Sequence, residues 1–407
     1  MSQTSQHQRL SSLPGMTQIL LTFGLSISSL AILLPASPAW ALAGGAGSLG
    51  AGATNTVLMA LTVATQFSVP FLTRRFSWAL ILPLGTLLMG LPSLLQALSP
   101  DLTNLLLTSA LRGIGFGIVT VCCSSALSYL LPLEYRGRAV GLYGLAAAGS
   151  QLIFTPLAPW ALEAFGYRPV ISAGAIAALA APFALNLGRQ VDAYLLEADR
   201  KQQGAGADRR TPTPRILARI WPALLTLTLV TSVGGAFMTF STQIAPSAAL
   251  ASAALLLLCA LAAPTRLYGG SLTDRFGTRL LMAPVLALSA LGVAFVAWSE
   301  GSGLPATLLL LAGAALIGFG YGFLQSVTMV RALTDAGGPD ATERASVAWN
   351  SHFDIGTGLG SLAMGAAMQT AGFSATWISA ALLLLISSLL LGLKDARASV
   401  QKGQDRL

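Results

Sequence analysis

The sequence GSLTDRFGTR, residues 270–279, is a short polar segment between two long apolar segments. It contains one acidic residue and two arginines, in a chain of which only 9% of residues are charged and 54% are hydrophobic. Soluble domains carry roughly 25% charged residues. The flanking apolar segments are long enough to cross a bilayer, which takes about 20 residues. We therefore predict a loop at a membrane surface, in an integral membrane protein.

The length rule predicts twelve membrane-spanning helices and an all-α polytopic fold. The first apolar segment is longer than the roughly 7–15 residues of a signal-peptide core, so we expect it to be retained as a helix. The predicted helices of the first half are 16–36, 48–71, 79–98, 102–132, 138–162 and 169–187. Those of the second half are 219–242, 247–268, 279–299, 304–330, 344–368 and 373–393.

A polar stretch, residues 188–218, separates the two sets of helices. We interpret it as a cytoplasmic linker that carries some amphipathic helix. The predicted organisation is an N-terminal six-helix half (1–187), the linker, a C-terminal six-helix half (219–393) and a cytoplasmic tail (394–407).

The distribution of basic residues predicts the orientation. If both termini are cytoplasmic, all of the 23 lysines and arginines except Arg112 and Arg168 fall in cytoplasmic segments. This asymmetry is typical of multi-pass proteins of the cytoplasmic membrane. It also explains the net charge of +8 without a nucleic-acid partner.

The two halves repeat each other. The motif LxxRF ends at Phe76 and again at Phe276, an offset of 200, and GxGFG in residues 113–117 returns as GxGYG in residues 318–322, an offset of 205. Similar offsets in the same order predict two pseudo-symmetric six-helix bundles, as in transporters built from repeats.

Two ionisable residues are predicted near the middle of the membrane, where charge is costly and usually functional. Arg112 and Asp354 each lie about ten residues, roughly 15 Å, into their helices. They could line or gate a central water-filled cavity, with Asp354 as a proton acceptor. Alternatively, neighbouring polar groups satisfy each of them in a structural role. A direct salt bridge between them is one of several arrangements.

Other polar residues are candidates for the same site. Asn350 shares a helix face with Asp354, whereas His352 points away from it. His352 could titrate near neutral pH or be a packing residue. Gln151 and Gln325 could bind a substrate or join helices by hydrogen bonds.

Several other functions are disfavoured. The three cysteines lie inside apolar segments, and no ligand spacing for a metal is present. The glycine-rich motifs lie in membrane spans without a phosphate-binding lysine. We therefore expect no metal, no cofactor and no enzymatic activity.

Residues 270–279 resemble the signature loop of the major facilitator superfamily. The matching positions are Gly270, Leu272, Asp274, Arg275, Gly277 and Arg279. Residues 112–117, RGIGFG, are similar to the arginine motif that this family carries in its fourth helix and that is often linked to proton coupling. The resemblance covers residues 16–393 and implies a monomeric transporter that works by alternating access.

The corresponding loop of the first half, residues 70–77, departs from the family pattern and has Arg74 where the aspartate belongs. The resemblance places this loop beside the start of the eleventh helix, so we hypothesise that Glu343 pairs with Arg74 or Arg75. By the same symmetry, Asp274 is expected near Arg136 or Arg138.

The predicted function is secondary active transport of a small organic compound through the lipid bilayer, with protons as the coupling ion. The resemblance to bacterial drug and metabolite exporters favours efflux. The alternative is proton-coupled uptake of a small metabolite or an organic anion held by Arg112.

Overall fold

The computed structural model describes residues 15–131, 133–201, 213–301, 303–337 and 339–404, and these residues form helices joined by short turns. The first half contains α1 (Met16–Ala43), α2 (Gly47–Arg75), α3 (Trp78–Gly90), α4 (Pro92–Gln96), α5 (Leu102–Leu130), α6 (Leu133–Phe165), α7 (Tyr167–Ser172), a 3-10 helix (Ala173–Ala180) and α8 (Ala181–Lys201). The second half contains α9 (Thr213–Thr239), α10 (Ser241–Ile244), α11 (Ala248–Phe276), α12 (Thr278–Trp298), α13 (Leu304–Ala336), α14 (Pro339–Ala371) and α15 (Phe373–Gln404). The predicted all-α fold is confirmed.

Several helices extend further than predicted. Residues 270–276, predicted as a loop, form the last two turns of α11, and the chain reverses at Gly277 with a φ of 79°. Glycine adopts this left-handed conformation without a steric cost, so a single residue makes the turn.

The third predicted helix is interrupted at Leu91, because Pro92 lacks the N–H that would continue the helical hydrogen bonds.

Eleven helical segments of the described chain are long and apolar enough to cross a membrane. The one predicted span that is not among these eleven is 344–368, which corresponds to α14. This helix has 33 residues and is long enough to cross a membrane, but it is too polar to qualify by composition. It packs against α2, α9, α13 and α15. Its buried polar side chains, among them Asp354, Thr357 and Ser361, therefore face other helices, and only part of its surface is left for lipid.

The predicted duplication is visible in the packing of glycines. On α5, a Cβ at Gly113 would lie 2.2 Å from the carbonyl oxygen of Leu58, and on α13 a Cβ at Gly318 would lie 2.4 Å from that of Leu258. The helices α6 and α14 each contain 33 residues, and their ends are related by an offset of 206. The same backbone contacts are thus made in both halves.

A buried ion pair distinguishes the second half. Arg331, assigned from the sequence to a loop, lies in α13 and is 3% exposed. Its Nη1 and Nη2 donate hydrogen bonds to the Asp395 carboxylate of α15 at 3.0 and 2.8 Å. The related acid of the first half, Asp192, instead accepts hydrogen bonds from the backbone nitrogens of Trp78 and Ala79 at 2.9 and 3.0 Å and caps α3. In each half, a carboxylate ties the last long helix to an earlier one.

The predicted linker, residues 188–218, is helical at both ends, since α8 continues to Lys201 and α9 begins at Thr213. Residues 202–212 lie outside the described residues. The division into two halves and a linker stays a prediction.

We predict that Gly115→Ala destabilises the protein, because a Cβ would lie 2.4 Å from the backbone nitrogen of Met89 and would force α5 away from α3. The expected loss is about 1–3 kcal/mol, measured as a lower thermal unfolding midpoint of the purified protein in detergent. Gly141→Ala in α6 is the control, because that position faces open space. Equal midpoints for the two variants would contradict this account of the packing.

Candidate functional site

A cavity of about 20 Å³ lies between the two halves. Residues of α6 form its wall on the first half, and residues of α9, α11 and α13 form its wall on the second half. Its polar side chains are Gln151, Arg266, Tyr321 and Gln325. The structure thus brings together the two glutamines predicted from the sequence and adds an arginine and a tyrosine.

Small and apolar residues give this cavity its shape. Ala148 contributes only a methyl group on the α6 side, while Met238, Leu258 and Ala262 supply apolar surface. Cavities that bind small molecules combine such walls with a few polar groups that orient the ligand. We refer to this space as the central cavity.

Arg266 is the cation of the central cavity. The sequence analysis assigned it to a cytoplasmic segment, but α11 continues ten residues beyond it, so it lies about 15 Å inside the helix end. Its side chain is accessible through the cavity. Among the described side chains, no carboxylate lies within 4 Å of its guanidinium, and the hydroxyls of Tyr143 and Tyr321 are within electrostatic range.

Asp354 lies at the contact between the halves and is 6% exposed. Its Oδ2 accepts a hydrogen bond of 2.7 Å from Nε2 of Gln66, which belongs to α2 of the other half. Gln66 is itself buried and lies 3.4 Å from the hydroxyl of Thr120. No arginine or lysine among the described side chains is within 4 Å of this carboxylate.

Tyr321 lines the central cavity, and its ring centroid lies 6.1 Å from that of Phe353, the residue before Asp354. Its hydroxyl is within electrostatic range of both Arg266 and Asp354. Its ring fits against α9 because position 234 is glycine, where a Cβ would lie 2.3 Å from the ring. The surroundings of the two ionisable groups therefore share this side chain.

Arg112 has a different environment from the one expected. It is 1% exposed, its Nε donates a 3.4 Å hydrogen bond to the carbonyl oxygen of Met89, and its Nη2 has no partner among the described residues. The structure places it inside the first half, away from the residues that line the central cavity. No salt bridge joins it to Asp354.

Asn350 and His352 lie on α14 near Asp354 but do not contact its carboxylate. Asn350 is exposed and donates a 2.8 Å hydrogen bond to the carbonyl oxygen of Ser346. His352 is half-buried, with Nδ1 2.8 Å from the carbonyl oxygen of Ala348. Both side chains therefore bond to the preceding turn of their own helix.

The predicted gating residues are only partly described. Arg74 and Arg75 are exposed at the end of α2, and neither has a carboxylate within 4 Å among the described side chains. Arg275 lies 5.3 Å from the centre of the Phe276 ring. Gly270 lies in the last two turns of α11, Gly277 makes the turn that follows, and Arg279 lies in the first turn of α12. The side chains of Asp274, Arg138 and Glu343 lie outside the described part, so the predicted pairings stay predictions.

The two halves are joined along only part of their length. We define the arginine end of the bundle as the one that carries Arg74, Arg75 and Arg275. Toward the opposite end, hydrogen bonds join the halves, for example from the hydroxyl of Thr56 to the carbonyl oxygen of Gly358 at 2.8 Å. Similar bonds link the backbone nitrogen of Leu49 to Gln369, Asn55 to Thr239, and the backbone nitrogen of Trp160 to Ser252.

Beyond Gln66, the described residues form no hydrogen bond between α2 and the other half. Phe67 and Phe71 are 63% and 66% exposed, as are Leu267 and Tyr268 on α11 at 68% and 65%. The hydrogen bonds that join the halves in the described chain therefore lie at Gln66 and toward the opposite end of the bundle.

Sequence reasoning missed Gln66, Arg266 and Tyr321 as site residues. The repeat contained a usable signal, because Gln66 and Arg266 are related by the same offset of 200 as the LxxRF motifs. Comparing the two halves position by position would have identified both as residues that face the boundary between the halves.

Comparisons with known proteins agree with this architecture. The family model described as the Major Facilitator Superfamily matches residues 19–248 and 220–406. The "Uncharacterized MFS-type transporter YcnB" of Bacillus subtilis (strain 168) is 27% identical over 115 residues, which is 28% of this chain and only 23% of the length of that relative.

Two solved structures show the same fold. A bacterial homolog of the human lysosomal transporter Spinster, in an inward-facing and unoccupied conformation, is 16% identical, with a TM-score of 0.66 over 94% of this chain and 96% of that one. The nucleoside transporter NupG is 13% identical, with a TM-score of 0.70 over 95% of this chain and 99% of that one. The relatives and the fold are those of transporters, in agreement with the prediction that the chain is not an enzyme.

We predict that Gln66→Leu weakens the contact between the halves, because it removes the donor to a buried carboxyl group. The expected loss of stability is about 1–3 kcal/mol, measured by thermal unfolding in detergent. Gln190→Leu is the control, because this glutamine makes its hydrogen bond within a single helix. Its Nε2 donates to Oδ1 of Asn186 in α8 at 3.2 Å. If both glutamine variants unfold at the wild-type temperature, the hydrogen bond to Asp354 does not hold the halves together.

Proposed function

Because the chain belongs to the major facilitator superfamily, whose fold implies secondary transport across a membrane, we propose that it moves a small organic compound by alternating access in exchange with, or together with, protons. One observation carries this proposal. The carboxyl group of Asp354 is buried at the contact between the halves, and its hydrogen-bond donor, Gln66, belongs to the other half.

Asp354 is proposed as the proton carrier. An ionised carboxylate that is buried without a counter-charge is costly in a membrane protein. The group can therefore hold a proton while α2 and α14 are in contact and release it when the halves separate and water enters. Proton binding is thus tied to the motion that changes access to the central cavity.

The groups around Asp354 support this assignment. From α2 the neighbour is the uncharged Gln66, and from α13 it is the hydroxyl of Tyr321. From α9, the hydroxyl and backbone of Thr231 and Thr228 approach α14 at Gly356. No lysine or arginine among the described residues pairs with the carboxylate, so a proton is the simplest way to neutralise it.

The orientation follows from the arginines. We propose that the arginine end is cytoplasmic, as the distribution of basic residues predicts, and that both termini lie on the cytoplasmic side of the cell membrane. We also propose that the central cavity opens to the cytoplasm. The loops 70–77 and 270–279 then lie where the halves must meet to close it, and we propose that a monomer completes the cycle.

Two coupling modes are compatible with this site. Export in exchange for protons is what the resemblance predicted. Uptake together with a proton is favoured by Arg266, because an anion bound beside it adds a negative charge at the boundary between the halves, and a nearby like charge favours the protonated form of Asp354. The bound anion and the proton would then travel together, and we take this as the mode that the site supports best.

We predict that Asp354→Asn abolishes pH-driven accumulation but not exchange. In right-side-out vesicles with acid outside, the assay follows labelled hippurate, tetraphenylphosphonium and N-acetylleucinamide. For the transported compound, accumulation should fall by about tenfold or more, whereas exchange of labelled for unlabelled compound should continue, since alternating access needs no net proton movement. Asp101→Asn, at an exposed helix N-cap that asparagine also satisfies, is the control. Wild-type accumulation by Asp354→Asn would refute the role of Asp354.

We predict that a membrane potential alone leaves the transport of an anionic substrate unchanged, because uptake of one anion with one proton moves no net charge. Everted vesicles with valinomycin and an inward potassium gradient, which makes the lumen positive, provide the test. Strong acceleration of anion entry into the lumen would instead indicate export in exchange for protons, since that mode moves net charge.

A further inference from the structure

We propose that the central cavity binds an organic carboxylate. The carboxyl group of this ligand bonds to Arg266 and lies beside Ala148. The internal repeat relates this position to the one that the Asp354 side chain occupies at the contact of α2 with α14. The inference rests on the proposed function, because it names the ligand of the same cavity. We call the contact of α2 with α14 the first seam and the contact of α11 with α6 the second seam.

The internal repeat relates the residues of the two seams. Gln66 corresponds to Arg266 by the offset of 200 that also relates Leu58 to Leu258, and these leucines make equivalent contacts with glycines. Asp354 corresponds to Ala148 by an offset of 206, the same offset that relates the ends of α14 and α6. The pair in the first seam is therefore matched, position by position, by a pair in the second.

The two pairs differ in chemistry. In the first seam, an amide donor meets a carboxylate within the protein, at 2.7 Å. In the second seam, a guanidinium has replaced the amide and a methyl group has replaced the carboxylate. Arg266 and Ala148 both line the central cavity. The second seam thus has a stronger donor and lacks the acid that the first seam provides.

A carboxylate from a substrate would complete this arrangement. The planar guanidinium binds carboxylates through two parallel hydrogen bonds. The Arg266 side chain is exposed, so a ligand can reach its guanidinium. The amides of Gln151 and Gln325 and the hydroxyl of Tyr321 can accept or donate further hydrogen bonds within the same cavity.

The rest of the cavity limits the ligand. Met238 and Leu258 supply apolar walls, which suit an aliphatic or aromatic body. The volume of about 20 Å³ holds about one water molecule, so the halves must separate further around Arg266 before a carboxylate binds. The proposed substrate is therefore a small carboxylate with an apolar body.

The test compares carboxylates with their neutral amides on the purified full chain in nanodiscs. The probes are benzoate with benzamide, hippurate with hippuramide, and N-acetylleucine with N-acetylleucinamide, and dissociation constants are obtained from ligand-induced thermal stabilisation. We expect at least one carboxylate to bind more tightly than its amide, by about tenfold or more. Arg266→Gln should remove this preference, while Arg168→Gln, at an exposed position of α7, should keep it.

A second pair of variants tests the position of the missing acid. Ala148→Asp supplies an internal carboxylate to Arg266 and should weaken carboxylate binding by about tenfold or more relative to Ala148→Asn, which has the same size but no charge. Unfolding midpoints identify any variant that fails to fold. The inference is overturned if every probe binds no better than its amide, or if the Asp and Asn variants bind carboxylates equally.

The outcome separates this inference from the proposed function. Asp354→Asn should still bind the carboxylate, because it leaves Arg266 in place. If pH-driven transport depends on Asp354 but no carboxylate is preferred, the ligand class is wrong and the coupling stands. If the carboxylate preference depends on Arg266 but Asp354→Asn accumulates substrate normally, the coupling is wrong and the ligand class stands.

Discussion

A carboxyl group buried in a membrane protein needs a hydrogen-bond partner, and Asp354 has its partner on the opposite half of the molecule. This requirement explains several features of the structure. The helix that carries Asp354, α14, is too polar to qualify as a span by composition and is packed against four other helices. In the mechanism proposed above, such a group is exposed to water only when the halves move, which is the property that a coupling residue requires.

The internal duplication explains how the two seams keep equivalent backbone positions while their side chains differ. Glycines of α5 and α13 bring these helices into backbone contact with equivalent neighbours in both halves. With the helices fixed at matching positions, single substitutions change the chemistry of a seam without changing the fold. One seam joins glutamine to aspartate, whereas the other places arginine beside alanine. An asymmetric function, with a proton on one side of the molecule and a substrate on the other, can arise on a symmetric scaffold in this way.

The fold was largely predictable because a bilayer restricts the choices. Backbone groups in lipid must bond within their own segment, so each long apolar stretch has to be a helix. Helix ends were less predictable, since the end of α11 is as polar as a loop and yet continues to Phe276 as helix. The same difficulty led Arg266 and Arg331 to be assigned to loops. In both cases the helix is longer than the apolar stretch from which it was predicted.

The sequence by itself indicated the twelve long helical segments and their order, the duplication and the position of Asp354 near the middle of its helix, because these depend on hydrophobic length and on repeat spacing along the chain. Only the tertiary structure decided which polar groups meet. Arg112 and Asp354 lie at similar depths, but one faces the interior of the first half and the other faces the boundary between the halves. Depth follows from position along a helix, whereas the partner of a side chain depends on how each helix is rotated and packed against its neighbours.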